Sequence, residues 1–176
     1  VGLQGDDQTA FNQASEQLAE LSTQFSNHVL DATQAWSLVL HDLDEVAGLP
    51  SRALDTLASA ARDADDRHRD GSEASAERGP WRLGLDMPRY IPFLTYADHR
   101  DLRETLYKAH VGRASSGDLD NTPLIESILS LRADQAQRLD YAHWAELSLA
   151  SKMADNVDSV EALLEELRAA AKPAAE

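Results

Sequence analysis

An apolar stripe constrains this chain more than any other feature. Across residues 7–31 and just beyond, apolar side chains fall at Phe11, Ala14, Leu18, Leu21, Phe25, Val29 and Ala32, in alternating steps of three and four. That spacing puts them on one face of an α-helix and on no single face of a strand. A helix of about 25 residues spans roughly 37 Å. Asp6 or Asp7 at its start suits both capping and the positive end of the helix dipole. The stripe reads as a core-facing surface, so the rest of the chain must supply elements to cover it.

Two short segments share the pattern W-x-L-x-L: Trp36-Ser-Leu-Val-Leu-His41 and Trp81-Arg-Leu-Gly-Leu-Asp86. Period-two alternation predicts a strand in each, and the two as antiparallel partners in a small ribbon. Between them lie a turn ending at Gly48-Leu49-Pro50 and a helix from Ser51 with Leu54, Leu57, Ala58 and Ala61 inward. Residues 63–79 follow, a stretch of charge, Ser and Gly read as a mobile charged loop.

Arg89-Tyr-Ile-Pro-Phe-Leu-Thr-Tyr-Ala97 then gathers aromatics around Pro92, and Asp98 is placed to cap a helix carrying Leu102, Leu106, Ala109 and His110. Residues 112–120 break the pattern. Asn121-Thr-Pro123 opens a helix with Leu124, Ile128 and Leu131 inward and Arg132 and Arg138 solvated. Residues 141–153 read as a further helix, and Asp158-Ser-Val-Glu161 as a capping box ahead of Val160, Leu163, Leu164 and Leu167. The expected class is mainly α, with about six helices and a two-stranded antiparallel ribbon.

The charge balance narrows the partners. With 16 basic against 31 acidic side chains the net charge is -15, and no basic cluster offsets it, so nucleic acid and anionic membranes are excluded as partners. The absence of cysteine removes disulfides and thiol catalysis and fits the cytoplasm. The start, Val1-Gly-Leu-Gln-Gly-Asp-Asp7, has no signal-peptide pattern and no initiator methionine, so a piece of a longer protein is expected.

Four groups of residues invite a chemical reading. Asp66, Asp70, Gly71 and Glu77 match positions 1, 5, 6 and 12 of an EF-hand loop. However, His68 replaces an oxygen ligand, Glu73 replaces an apolar residue and Gly79-Pro80 stops the helix that should follow, so a solvated loop is the reading. His41-Asp42-x-Asp44-Glu45 lacks the helical i, i+4 spacing that holds two ligands on zinc. His99, His110 and His143 stand singly on separate predicted helices. Ser115-Ser116-Gly117 lacks the strand-to-helix setting of a nucleophile elbow. No catalytic and no metal-binding residue is assigned, and no substrate-binding residue can be named.

Collinear blocks then carry a resemblance. Leu18-Ala-Glu-Leu-Ser-Thr-Gln-Phe-Ser-Asn-His-Val-Leu-Asp-Ala-Thr33 resembles the oligopeptidase A branch of the M3 zinc metallopeptidase family, which includes thimet oligopeptidase. Residues 81–96, with their core Leu85-Asp-Met-Pro-Arg-Tyr-Ile-Pro-Phe-Leu-Thr-Tyr96, and Leu102-Arg-Glu-Thr-Leu-Tyr-Lys-Ala109 are similar to that family's next segments, in order. So are Arg113-Ala-Ser-Ser-Gly117, Asp120-Asn-Thr-Pro-Leu-Ile125, Leu129-Ser-Leu-Arg132 and Ser148-Leu-Ala-Ser-Lys-Met-Ala154.

The resemblance implies a two-lobed helical metalloendopeptidase that hydrolyses short peptides in a deep channel, with zinc held by H-E-x-x-H and a downstream glutamate. Those elements lie C-terminal to the region represented, so zinc belongs to the full-length enzyme and none to these 176 residues. The chain would be a single segment of the lobe that walls the channel, restricting substrate size, with short peptides and the remainder of the peptidase as its partners. The alternative is a stand-alone helical peptide-binding or scaffold module. Faces such as Phe11/Leu18/Leu21 and Leu163/Leu164/Leu167 are expected to meet neighbours outside this segment. Asp140 stands at a turn where the family commonly has glycine, and residues 63–79 carry extra polar residues.

Overall fold

A computed structural model describes residues 2–175. The chain runs α1 (Gly5–Ala35), β1 (Ser37–Leu40), a 3-10 turn (Leu43–Val46), α2 (Ser51–Asp63), β2 (Trp81–Gly84), α3 (Met87–Tyr96), α4 (Arg100–Val111), a second 3-10 turn (Gly117–Leu119), α5 (Thr122–Arg138), α6 (Trp144–Leu149) and α7 (Val157–Ala175). The class is mainly α with one two-stranded antiparallel sheet, as the periodicities require. No helix of the described residues is long and apolar enough to cross a membrane. Two compact units emerge among the described residues, residues 25–121 and residues 2–24 with 122–175, the division falling inside α1.

The unit of residues 25–121 owns a dense core. β1 and β2 pair Ser37 with Gly84 and Leu40 with Trp81, so the two W-x-L-x-L segments meet as alternation predicts. One apolar cluster gathers Leu40, Leu57, Trp81, Leu83, Phe93 and Leu106, which come from five elements. α2 contributes Ala53, Leu57, Ala58 and Ala61, a small-residue face that lets the helix lie close to the ribbon. Asn121 is buried and donates from Nδ2 to the Phe25 carbonyl at 3.1 Å.

Residues 64–80 are laced to this core by directional bonds. Arg62 donates to the Ala74 carbonyl at 2.8 Å, and the Trp81 indole to the Ala76 carbonyl at 3.2 Å. Two isolated bridges, Arg67 with Glu73 and Ser75 with Gly79, fold the segment back on itself.

α3 is a helix that the sequence reading does not assign, seeing residues 89–97 only as a cluster of aromatics around Pro92. Pro92 is the sixth residue of the helix, and the bond it cannot make is the one to Pro88 in the first turn. α4 starts at Arg100 with His99 as N-cap and no side-chain cap bond, so Asp98 does not cap it. The Asp98 amide instead donates to the Ala47 carbonyl at 2.9 Å, tying the α3–α4 junction to the turn at Gly48.

The other unit is sparsely filled. Ala14 and Ala136 are its buried apolar residues among those described, and Gln135 is buried beside them, donating to Ser15 Oγ at 2.8 Å and to the Phe11 carbonyl at 3.3 Å. Arg138 bridges Asp7 and Asp134 at 2.8 and 2.7 Å, and the Arg132 guanidinium lies 5.3 Å from the centroid of the Trp144 ring. The two arginines expected to be solvated are therefore partnered, because guanidinium groups find carboxylates and aromatic faces within reach. Asp6 and Asp7 fall in the first turn of α1, which begins at Gly5, so they complement its dipole instead of capping it.

Other ends also differ from the sequence reading. α6 covers only Trp144–Leu149 of the expected 141–153, since His143 Nδ1 accepts from the Glu146 amide and Glu146 Oε2 accepts from the Ala142 amide, delaying the start. α7 is capped by Asn156, whose Oδ1 accepts from the Ser159 amide at 2.9 Å, and not by Asp158 with Glu161. Asp140 sits at φ 61, the left-handed conformation its turn demands.

Candidate functional site

The groups singled out in the sequence do not converge. Asp66 is turned to Arg82, which donates to its two carboxylate oxygens at 2.7 and 2.8 Å. Asp70 accepts from the Ser72 amide at 2.9 Å and pairs with Arg78 at 2.7 Å. The bonds from Ser72, then Arg78, hold its carboxyl well below the usual carboxylate range. The oxygens of the EF-hand-like loop are thus committed to the chain's own donors, and Glu77 is exposed.

Glu45 accepts from the amides of His41 and Asp42 at 2.8 and 3.0 Å, which makes that acidic run the cap of a 3-10 turn. Ser115 Oγ donates to the Gly112 carbonyl at 2.6 Å. Among the described residues no three of His, Asp and Glu form a group that could hold a metal ion, so these side chains do not fit a zinc centre.

His110 has the most unusual surroundings of the histidines. Its ring stacks on Tyr90, with centroids 4.1 Å apart and 23° between planes. Arg113 Nη1 lies 3.0 Å from His110 Nδ1, while Nε2 is buried without a partner. Burial first and Arg113 second push the imidazole pKa down, and burial pushes the Tyr90 phenol up. A guanidinium can only donate, so Nδ1 is the acceptor and the ring is neutral. That arrangement packs a ring; it presents no base to a nucleophile.

Among the described residues, a cleft in each unit offers room for a ligand. The first, of about 640 Å³, lies between α1 and α5, with Leu21 and Leu131 set among Gln17, Glu20, Gln24 and Glu126. The second, of about 330 Å³, lies between α3 and α4 and is lined by Leu94, Arg100, Arg103, Glu104 and Tyr107. Arg103 donates from Nη1 to the Ala97 carbonyl and, at 3.0 Å, to the Asp98 carbonyl, which fixes its guanidinium. Glu104 pairs with Lys108 at 2.5 Å, and the bond to Lys108 lowers its pKa. The Arg100 charge also acts on Glu104, after that of Lys108. Sequence reasoning did not find this cleft; the available signal was Arg100, Arg103 and Tyr107 at i, i+3 and i+7 on one helix face.

Comparison with known proteins adds what the geometry cannot. Residues 93–176 match the family model described as Peptidase family M3. The probable cytosolic oligopeptidase A of Arabidopsis thaliana is 43% identical over 170 residues, which cover 97% of this chain and 23% of that protein. Oligopeptidase A of Escherichia coli (strain K12) is 38% identical over 181 residues, covering 100% of this chain and 25% of that protein. The dipeptidyl carboxypeptidase of the same organism is 28% identical over 158 residues, or 88% of this chain and 21% of that protein. The chain spans about a quarter of the length of the oligopeptidase A relatives it matches.

Proposed function

Because this chain belongs to peptidase family M3, as an oligopeptidase A-like segment, we propose that it is a non-catalytic part of a zinc-dependent peptidase that hydrolyses short peptides. The observation that carries this reading is identity of 38–43% sustained over nearly every residue of the chain. Its contribution is structural: a helical wall of the channel that admits flexible peptides and holds back folded proteins. Zinc belongs to the rest of the enzyme, and these residues take no step in the hydrolysis. The relatives' names include both cytosolic and organellar forms, and the cytoplasm is the location proposed here.

The test is hydrolysis of a short internally quenched peptide by two samples. The 176 residues alone are expected to leave it intact. The native polypeptide isolated from its source with an antibody to this segment is expected to have a mass several times 19.3 kDa and to cleave the peptide until a zinc chelator is added. A native mass of 19.3 kDa, or chelator-insensitive cleavage, overturns the reading.

A further inference from the structure

We propose that the α3–α4 cleft binds the free C-terminal carboxylate of an apolar peptide. Three features of the cleft support this assignment. Arg100 and Arg103 face it from one side of α4, Arg103 held in place through two backbone carbonyls and Arg100 tied by no hydrogen bond among the described residues, only by its charge acting on Glu104 one turn along the helix. The one carboxylate in the cleft, Glu104, is bonded to Lys108, with Arg100 a weaker second influence on it. A locally cationic cleft is an exception on a chain of net charge -15, and the planar fork of a guanidinium matches a carboxylate, the anion that ends every unmodified peptide.

The apolar half of the ligand follows from what lies beside the cations. Leu94 and Tyr107 line the cleft, and Tyr107 is 54% exposed. The row continues with Ile91 one turn before Leu94 and Val111 one turn after Tyr107, at 51% and 57% exposed. Large apolar side chains left open next to cations that hold no carboxylate by a hydrogen bond mark a binding surface. Their juxtaposition selects a carboxylate joined directly to apolar side chains, which describes the end of a peptide and not a bare inorganic anion. That the carboxylate comes from a peptide rests on the peptidase reading above; the pairing of cations with an apolar row does not.

The test titrates the ¹⁵N-labelled chain with acetyl-Leu-Phe as the free acid, with the same dipeptide as its amide, and with sodium phosphate, reading backbone amide shifts across α3 and α4. The free acid is expected to give saturable shifts at residues 94–107 and the amide to bind at least tenfold more weakly. Arg100→Gln is expected to weaken the acid at least fivefold with an unchanged Tm, and Tyr107→Ala to weaken it independently. Equal binding of acid and amide, phosphate binding as tightly as the acid, or no saturable shift overturns the proposal. None of these readouts involves hydrolysis, so failure of the peptidase reading and failure of this site are separately visible.

Discussion

Arg82 reaches from β2 to Asp66 with its side chain 24% exposed and the carboxylate 17% exposed. Hydrogen bonds to charged groups in such a setting stabilise a fold by about 1.5–3 kcal/mol, and removing one partner leaves the other desolvated. Arg82→Ala is expected to cost that much, read as a lower urea midpoint. Arg82→Lys should recover only part of it, because a point charge cannot reproduce the two-pronged contact. A midpoint unchanged in Arg82→Ala would show that the pair contributes nothing.

His110 makes a second prediction at this scale. Its folded-state pKa lies below the ordinary imidazole value of 6.5, so the unfolded chain binds the proton more readily. The contribution is complete above about pH 6.5 and is lost as pH falls from there toward the lower folded-state pKa. The groups facing the ring are the Tyr90 phenol, itself shifted upward, and the Arg113 guanidinium, which repels an imidazolium. His110→Phe keeps a stacking ring and removes the titration, so its Tm should fall less than the wild type's between pH 7.5 and 5.5. Parallel losses in the two proteins would contradict this account.

Among the elements, the turn at Gly48 is the most sensitive. Gly48 has φ +85, and a Cβ there would collide with the backbone carbonyl of Tyr96 at the end of α3. Gly48→Ala therefore combines a left-handed backbone with overpacking against an atom that cannot rotate away, at a cost of about 2–4 kcal/mol. Differential scanning calorimetry of the variant measures it directly; a loss within 0.5 kcal/mol, about the scatter of an ordinary surface substitution, would show that the junction can shift. Elements with long, clean periodicity were legible in the sequence: α1, α2, α5 and both strands. Those decided by competition between neighbouring caps were not. Asn156 lies two residues before Asp158 and takes the start of α7, while Glu146 accepts the Ala142 amide and shortens α6. Pro92 is tolerated in α3 for a different local reason, since the bond it cannot make falls to the first turn.

At the scale of the molecule the two units differ in how much they bury. Residues 25–121 enclose Trp81, Phe93, Leu57 and Leu106 almost completely, whereas α7 leaves Leu163, Leu164 and Leu167 more than half exposed. Amide protection follows buried apolar contact, so hydrogen exchange should be slowest in α2 and β2 and much faster in α5 and α7. Uniform protection across the chain would contradict that ranking. The same contrast explains what the sequence could not reveal. The family resemblance and the class of fold rest on patterns along the chain, but the α3–α4 cleft exists only because Leu94 is brought opposite Arg100, Arg103 and Tyr107 by the turn between the helices.

The ribbon has a consequence for the order of events when the chain first folds. Leu40 meets Trp81 across about forty intervening residues, so the pairing closes a long loop before it returns any enthalpy. Helices within that loop form in about a microsecond, far faster than a non-local pairing of this kind. α2 should therefore be present while the ribbon is still open, and the rate at which the Trp81 indole leaves water would be the rate at which the whole residue 25–121 unit acquires its structure.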